Sequence, residues 1–307
     1  MGIPVRNNKI FNVLLIALVF LISLSYFMYG YQYFPLKSYH VDEGASLYGA
    51  VRILNGGRIY HDFWTFHVPG RYYILAAVFK IFGISLKVAN LFAIFILTLT
   101  VWGIYLFISR LYSRVLGLFA LILSAVSLKL LMMYNRPVQF ALLFYVFSLF
   151  PFWEYISSGK RKWLIIGGVL TGIIGVFRLD FQIYNLISYI IVILLKIYQE
   201  QKEVSWKVKI ESMLKDVFYF ILGSLLISLP NLLYFIDNGG FKELHDHVLS
   251  GIFDKNRYMP LPELTIKNLL SYFPVLVGLL VSFKLLFYDL RIKNKDKINY
   301  PKIFFLF

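Results

Sequence analysis

Residues 39–83 read YHVDEGASLYGAVRILNGGRIYHDFWTFHVPGRYYILAAVFKIFG, a long polar stretch near the start of a mostly apolar chain. The stretch follows directly on the first apolar run and opens with the adjacent acids Asp42 and Glu43. Ionisable groups at the mouth of a membrane span are costly to keep there, and they commonly mark a functional site. We therefore expect the functional site to lie in this segment.

The composition of the whole chain is that of a membrane protein. Apolar residues make up 59% of the 307 residues, and the mean hydropathy is +0.70. A soluble domain is about 45–50% apolar. Several apolar runs here reach about 18–22 residues, which is long enough to cross a bilayer. The sequence therefore predicts an all-α polytopic membrane protein.

The net charge of +15 has a different meaning here than in a soluble protein. The basic residues fall mostly in short connections between apolar runs, where they act as topology signals and contact anionic membrane lipids. They do not indicate a nucleic-acid partner. The sequence has no cysteine, which excludes disulfides, cysteine-ligated zinc and a thiol nucleophile.

About eight transmembrane helices are expected from the lengths of the apolar runs. They cover residues 10–31, 85–109, 115–134, 138–157, 163–177, 181–196, 217–236 and 268–288. Lysine and arginine are denser in alternate connections, including a charged connection at 196–216, and this places the N-terminus in the cytoplasm. Residues 32–84 then form the first outer loop.

We expect this outer loop to contain two interfacial helices. In the first, Leu47, Ala50 and Leu54 recur with helical spacing, which is typical of an amphipathic helix on a membrane surface. The second would begin at Pro69-Gly70, because residues 72–82 are apolar but too short to span.

The C-terminal residues 303–307 are apolar and follow a basic segment, as the opening of a ninth span would. Because apolar spans follow one another along the whole chain, we expect a single transmembrane domain over residues 1–307. We also hypothesise that the chain is a partial member of a longer family.

The order of these features resembles the GT-C superfamily of membrane glycosyltransferases, in its protein-mannosyltransferase and aminoarabinose-transferase branch. The resemblance rests on Asp42-Glu43, on residues 55–62 (NGGRIYHD), on residues 67–73 (HVPGRYY) and on Phe82-Gly83. It implies a multi-pass protein of the cell membrane. Such a protein transfers a sugar from a polyprenyl-phosphate donor to a glycan, lipid or protein acceptor at the outer face.

The resemblance also implies a catalytic role for the acidic pair. In the family the carboxylate after the first span sits at the catalytic centre, so Asp42, with Glu43 beside it, would be the base for the acceptor. A simpler interpretation is that the pair caps the following helix, because Asp is a favoured N-cap residue. Several relatives carry a second acid in the next outer turn, whereas residues 134–139 here contain none.

Three arginines of the predicted outer face are candidates to hold the leaving phosphate: Arg71, Arg136 and Arg178. Arginine holds phosphate oxygens in a planar fork, and cations stabilise a departing phosphate. The alternative is that these side chains reach toward lipid headgroups. For Arg178 a further alternative is simple pairing with Asp180.

The remaining candidates for substrate contact are His61, Asp62, His67 and Tyr72. The first three, with the acidic pair, could also hold a divalent cation, although no spacing rule singles out this set. Ordinary hydrogen bonds at the interface are the alternative, and the sequence assigns no cofactor.

Two other functions remain open on the sequence. A lipid or sugar flippase or transporter would place ionisable residues deep in several spans, whereas the predicted spans here are nearly free of charge. The second possibility is a non-catalytic, truncated relative of the family, because the second acid found in several relatives is missing here.

Overall fold

A computed structural model describes residues 9–33, 41–63, 65, 68–130, 137–200 and 204–237. The described residues form nine helices: α1 Lys9–Tyr33, α2 Val41–Leu54, α3 Gly70–Phe82, α4 Leu86–Leu111, α5 Arg114–Leu130, α6 Pro137–Ser158, α7 Lys162–Phe177, α8 Leu179–Glu200 and α9 Trp206–Asp237. Within these residues the only β contact is an isolated bridge between Ile59 and Phe63. The predicted all-α class is thus confirmed for the described part of the chain.

Five of the described helices, α1, α4, α6, α8 and α9, are long and apolar enough to cross a membrane. The apolar helices α5 and α7 are shorter; the 16 residues of α7 extend over only about 24 Å. Each of the first seven predicted spans overlaps one of these seven helices. The eighth predicted span, 268–288, and the apolar segment 303–307 lie outside the described residues.

One boundary was predicted wrongly, because the segment 206–216 was expected to be a charged connection. It is instead the first third of α9, a helix of 32 residues that is about 48 Å long. The charges are tolerated in the helix because they are engaged: Lys209 lies 5.0 Å from the ring centre of Trp206, and Asp216 accepts a hydrogen bond from Tyr155 at 2.6 Å. A helix of this length exceeds the bilayer core, so part of it extends beyond the apolar layer.

Helices α7 and α9 approach each other closely through glycine. A Cβ at Gly168 would overlap the carbonyl oxygen of Phe220, and a Cβ at Gly172 would lie 2.6 Å from the carbonyl oxygen of Ser224. On the facing helix, a Cβ at Gly223 would collide with the backbone of Ile165. Small residues four apart allow membrane helices to pack backbone against backbone, and α7 and α9 use this arrangement.

Neutral polar side chains link α8 to its neighbours inside the bundle. The Asn185 amide donates to Thr171 at 2.8 Å, and the Gln182 amide donates to Ser228 at 2.6 Å. Asn185 and Thr171 are both fully or almost fully buried. Interhelical hydrogen bonds of this kind hold membrane helices in register, and here they fix α8 against α7 and α9.

The two helices expected between the first and second spans are present as α2 and α3. Gly56, at a φ of 84°, follows the last turn of α2, and Pro69 directly precedes α3. The apolar face of α2, with Ala50 fully buried, packs on Leu75 and Phe79 of α3 and on the start of α4. The apolar face of α2 is therefore covered by other helices of the protein.

Candidate active site

The N-terminus of α3 is held against the ends of two spanning helices. A Cβ at Gly70 would lie 2.5 Å from the carbonyl oxygen of Val176, so α3 begins in direct contact with the last turn of α7. The hydroxyls of Tyr73 and Tyr234 are 2.6 Å apart, which joins α3 to the last turn of α9. The polar segment and the ends of α7 and α9 therefore form one end of the bundle, which we call the α3 end.

Residues 55–63, the first part of the connection between α2 and α3, are held by local hydrogen bonds. Asp62 Oδ2 accepts from the Arg58 amide at 2.7 Å, and the Asp62 amide donates to the Arg58 carbonyl at 2.8 Å. Tyr60 adopts a φ of 68°, which is uncommon for a residue with a side chain. Its ring lies 5.1 Å from that of Phe235 on α9, so the loop is also attached to the bundle.

His61 and Asp62 lie together in this loop and interact with each other. His61 Nδ1 is 2.7 Å from Asp62 Oδ1, and Arg58 Nη2 is 3.1 Å from the other ring nitrogen of His61. The backbone hydrogen bond from Arg58, followed by the His61 contact, holds the pKa of Asp62 below its usual value. Both side chains are partly exposed and could contact a substrate at the loop surface.

The described part of the chain contains no group of three or more His, Asp or Glu side chains placed to hold a metal ion. The cation set expected from the sequence also included His67, which lies outside the described residues. The side chains of Asp42 and Glu43 are likewise outside them. The divalent cation therefore remains a prediction.

Arg71 and Tyr72 are buried at the start of α3, each 1% exposed. The guanidinium carbon of Arg71 lies 5.0 Å from the ring centre of Tyr72. The Tyr72 ring packs against Gly49 of α2, and its hydroxyl hydrogen bonds to Thr65. Tyr72 thus joins α2 to α3, and its ring contacts the Arg71 guanidinium.

Arg178 follows the last residue of α7 and interacts with Asp180, as one of the sequence alternatives predicted. Its Nε donates to Asp180 Oδ1 at 2.8 Å, and its Nη2 donates to the other carboxylate oxygen. The guanidinium carbon also lies 5.6 Å from the Phe181 ring. About a third of the Arg178 side chain is exposed, so the guanidinium is both oriented by Asp180 and accessible.

The acidic pair lies in the first turn of α2, because that helix begins at Val41. Asp42 therefore lies within the first turn of the helix, and its catalytic role remains a prediction. Acids in a first turn are still favoured by the helix dipole. Arg136, the remaining arginine candidate, lies outside the described residues.

Sequence reasoning missed Gln139, in the first turn of α6. This side chain is 2% exposed, and neither its amide nitrogen nor its amide oxygen has a hydrogen-bond partner among the described residues. A buried polar group without a partner costs about 1–3 kcal/mol. The available signal was a lone amide two residues after Pro137 in an otherwise apolar run.

Residues 67–234 match a family model described as dolichyl-phosphate-mannose-protein mannosyltransferase. The matched range is more than half of the 307 residues, and it contains Arg71, Gln139, Arg178 and Tyr234 but begins after the acidic pair. No curated protein matches the chain. The match over most of the described bundle agrees with the resemblance seen in the sequence, and we conclude that the chain belongs to the dolichyl-phosphate-mannose-protein mannosyltransferase family of GT-C type membrane glycosyltransferases.

Proposed function

We propose that this multi-pass membrane protein transfers a sugar from a polyprenyl-phosphate donor to a glycan, lipid or protein acceptor. Transfer would take place at the outer face of the cell membrane, with the N-terminus in the cytoplasm. The observation that carries the proposal is the attachment of α3 to the ends of α7 and α9. This attachment assembles the acidic helix α2, Arg71 and Arg178 at one end of an apolar bundle.

In the proposed reaction Asp42 is the base. It takes the proton from the acceptor hydroxyl while the acceptor oxygen forms a bond to the anomeric carbon of the sugar. The bond between that carbon and the phosphate oxygen breaks, and the phosphate leaves with the electron pair. Glu43, the next residue in the same helical turn, helps to set the charge of the site. General base catalysis contributes about 10²–10⁴-fold to such a step.

Two of the described arginines can neutralise the departing phosphate. Arg71 has five N–H donors on a buried side chain, and its guanidinium lies against the Tyr72 ring. Arg178 is held in a defined orientation by Asp180 and keeps an accessible surface. Preorganised cations of this kind need little rearrangement as charge develops on the phosphate. We assign Arg136 the same role from its place in the sequence.

The sugar needs hydrogen-bond partners, and the α3 end supplies them. We propose that the Gln139 amide binds a hydroxyl of the donor sugar, because the bond would satisfy a buried group that has no hydrogen-bond partner among the described residues. His61, Asp62 and His67 would contact the acceptor from the loop between α2 and α3. Tyr72 contributes by supporting Arg71.

Transfer of radiolabelled sugar from membrane-extracted polyprenyl-phosphate sugars, in purified membranes, tests the proposal. Asp42→Asn should reduce transfer by about 10²-fold or more because the base is lost. Asp237→Asn is the matched control, since Asp237 is an exposed carboxylate in the last turn of α9. We expect the control variant to transfer sugar normally.

Near-normal transfer by Asp42→Asn would remove Asp42 from the base role. If the wild type transfers no sugar from any of the polyprenyl-phosphate sugars, the result would contradict the enzymatic proposal. A flippase or a non-catalytic relative would then be the better interpretation.

A further inference from the structure

The end of the bundle away from the α3 end contains a basic cleft. Its volume is about 610 Å³, and its lining includes Lys160, Arg161, Lys162, Lys196, Ser212 and Asp216. The turn between α6 and α7, the end of α8 and the start of α9 form its walls. Among these lining side chains four are cationic and one is anionic.

The cleft lies about the length of α7 from the α3 end. α7 begins at Lys162 in the cleft and ends next to Gly70 of α3, about 24 Å away. Trp206 and Tyr198 lie at the same end of the bundle and are 62% and 47% exposed. Exposed tryptophan and tyrosine are typical of the headgroup layer of a bilayer. These two side chains indicate that the cleft lies near the headgroup layer.

The anionic residue of the cleft is already engaged. Asp216 is 6% exposed, accepts from the Tyr155 hydroxyl at 2.6 Å and accepts from Arg161 Nε at 2.6 Å. The guanidinium carbon of Arg161 lies 5.6 Å from the Tyr219 ring. Asp216 thus orients Arg161 and leaves the terminal nitrogens of its guanidinium for an incoming anion.

Lys196 forms the back of the cleft. It is 6% exposed, and its Nζ lies 5.1 Å from the ring centre of Tyr155. Gly159 lies beside Lys196, because a Cβ at this glycine would be 3.9 Å from the Lys196 Nζ. The φ of Gly159 is 66°. Lys160 and Lys162 stand at the rim and are exposed.

We propose that this cleft is a binding site for a phosphate group, supplied by the headgroup of an anionic phospholipid. A buried lysine, an oriented arginine and two rim lysines form a cationic set that matches a phosphate diester. The volume lies in the range of small-molecule sites, so it accommodates a headgroup with its glycerol. A lipid is favoured over a soluble anion because the cleft lies near the headgroup layer in a membrane-spanning bundle.

Native mass spectrometry of the detergent-solubilised protein tests the proposal with phosphatidylglycerol and phosphatidylcholine as probes. The test variant is Lys160→Gln with Lys162→Gln, because both side chains are exposed and their loss should not affect folding. The control is Lys80→Gln with Lys87→Gln, which removes the same charge from exposed positions outside the cleft. We expect the wild type and the control to retain phosphatidylglycerol in preference to phosphatidylcholine. The test variant should bind phosphatidylglycerol about 10-fold more weakly.

A second measurement distinguishes a lipid from free phosphate. Thermal stability of the delipidated protein is followed with inorganic phosphate and with chloride at matched ionic strength. Stabilisation by phosphate in the wild type but not in the test variant, without retention of phosphatidylglycerol, would keep the phosphate site and overturn the lipid source. Equal retention of phosphatidylglycerol by the wild type and the test variant would overturn the site itself.

Discussion

The contact between α7 and α9 holds the α3 end together, and replacing Gly168 with alanine perturbs it directly. The new Cβ would overlap the Phe220 carbonyl oxygen, lie 2.8 Å from the Ser224 amide nitrogen and lie 3.0 Å from the Gly223 Cα. All three atoms belong to the backbone of α9, so no side-chain rotation can relieve the overlap. The two helices must instead separate by about 1 Å.

The expected loss of stability follows from two opposing terms. Overpacking a close contact costs about 1–3 kcal/mol, and a clash with backbone atoms belongs at the upper end of that range. Alanine is favoured over glycine in a helix by about 1 kcal/mol, which offsets part of the cost. We therefore expect a net destabilisation of about 2 kcal/mol. At roughly 2–4 °C for each kcal/mol, the Tm should fall by about 4–8 °C.

Thermal unfolding in detergent, monitored by size-exclusion chromatography, measures this change. Gly44→Ala is the matched control, since Gly44 is exposed on α2 and a Cβ there would meet no atom within 4 Å. The control should unfold at or slightly above the wild-type temperature. A Gly168→Ala protein as stable as the wild type would refute the close backbone contact of α7 and α9.

Three further predictions concern the α3 end. Tyr234→Phe removes the hydrogen bond to Tyr73 and should lower the free energy of unfolding by about 1 kcal/mol. In a double-mutant cycle with Tyr73→Phe the losses in Tm should be non-additive, and additive losses would contradict the contact. Gln139→Leu should raise the Tm, because it removes a buried amide that has no partner in the described part of the chain, and it should weaken use of the donor sugar. Steady-state transfer kinetics should show a higher donor KM, and an unchanged KM would argue against sugar contact. Because the pKa of Asp62 is lowered in the folded loop, its interactions contribute stability above the ordinary Asp pKa of about 3.9 and are lost as the pH falls through the lower folded pKa. Hydrogen exchange should therefore show the Arg58 amide still protected at a pH just below about 3.9, and loss of that protection at or above the ordinary pKa would contradict the lowered value.

Much of the helical architecture could be predicted because it depends on local properties. Apolar run length predicted the positions of the seven apolar helices α1 and α4 to α9, and Pro69 indicated where the second loop helix begins. The exception was the start of α9, where charge suggested a connection. The helix continues there because two of its charges find partners on other helices: the Lys209 Nζ lies 5.7 Å from the ring centre of Tyr198 on α8, and Asp216 accepts from Tyr155 on α6. Hydropathy cannot register those partners.

The candidate site was predicted less completely, because it depends on contacts between distant residues. The pairing of Arg178 with Asp180 was predictable, since the two residues lie two positions apart. The contact between Tyr73 and Tyr234 joins residues 161 positions apart, and no spacing pattern links them. Gln139 was overlooked because a single amide in an apolar run becomes notable only once its burial is known.

Hydropathy, turn residues and short motifs act over a few neighbouring positions, so the membrane class, the helices of the bundle and the resemblance to GT-C glycosyltransferases could be read without a structure. The contact of α7 with α9 through Gly168 and Gly223, and the attachment of α3 to their ends, became visible only in the folded chain. Such choices depend on which helix surfaces fit together in three dimensions. In a bilayer, where lipid is as apolar as the helices, that fit rests on close packing and hydrogen bonds more than on hydrophobicity.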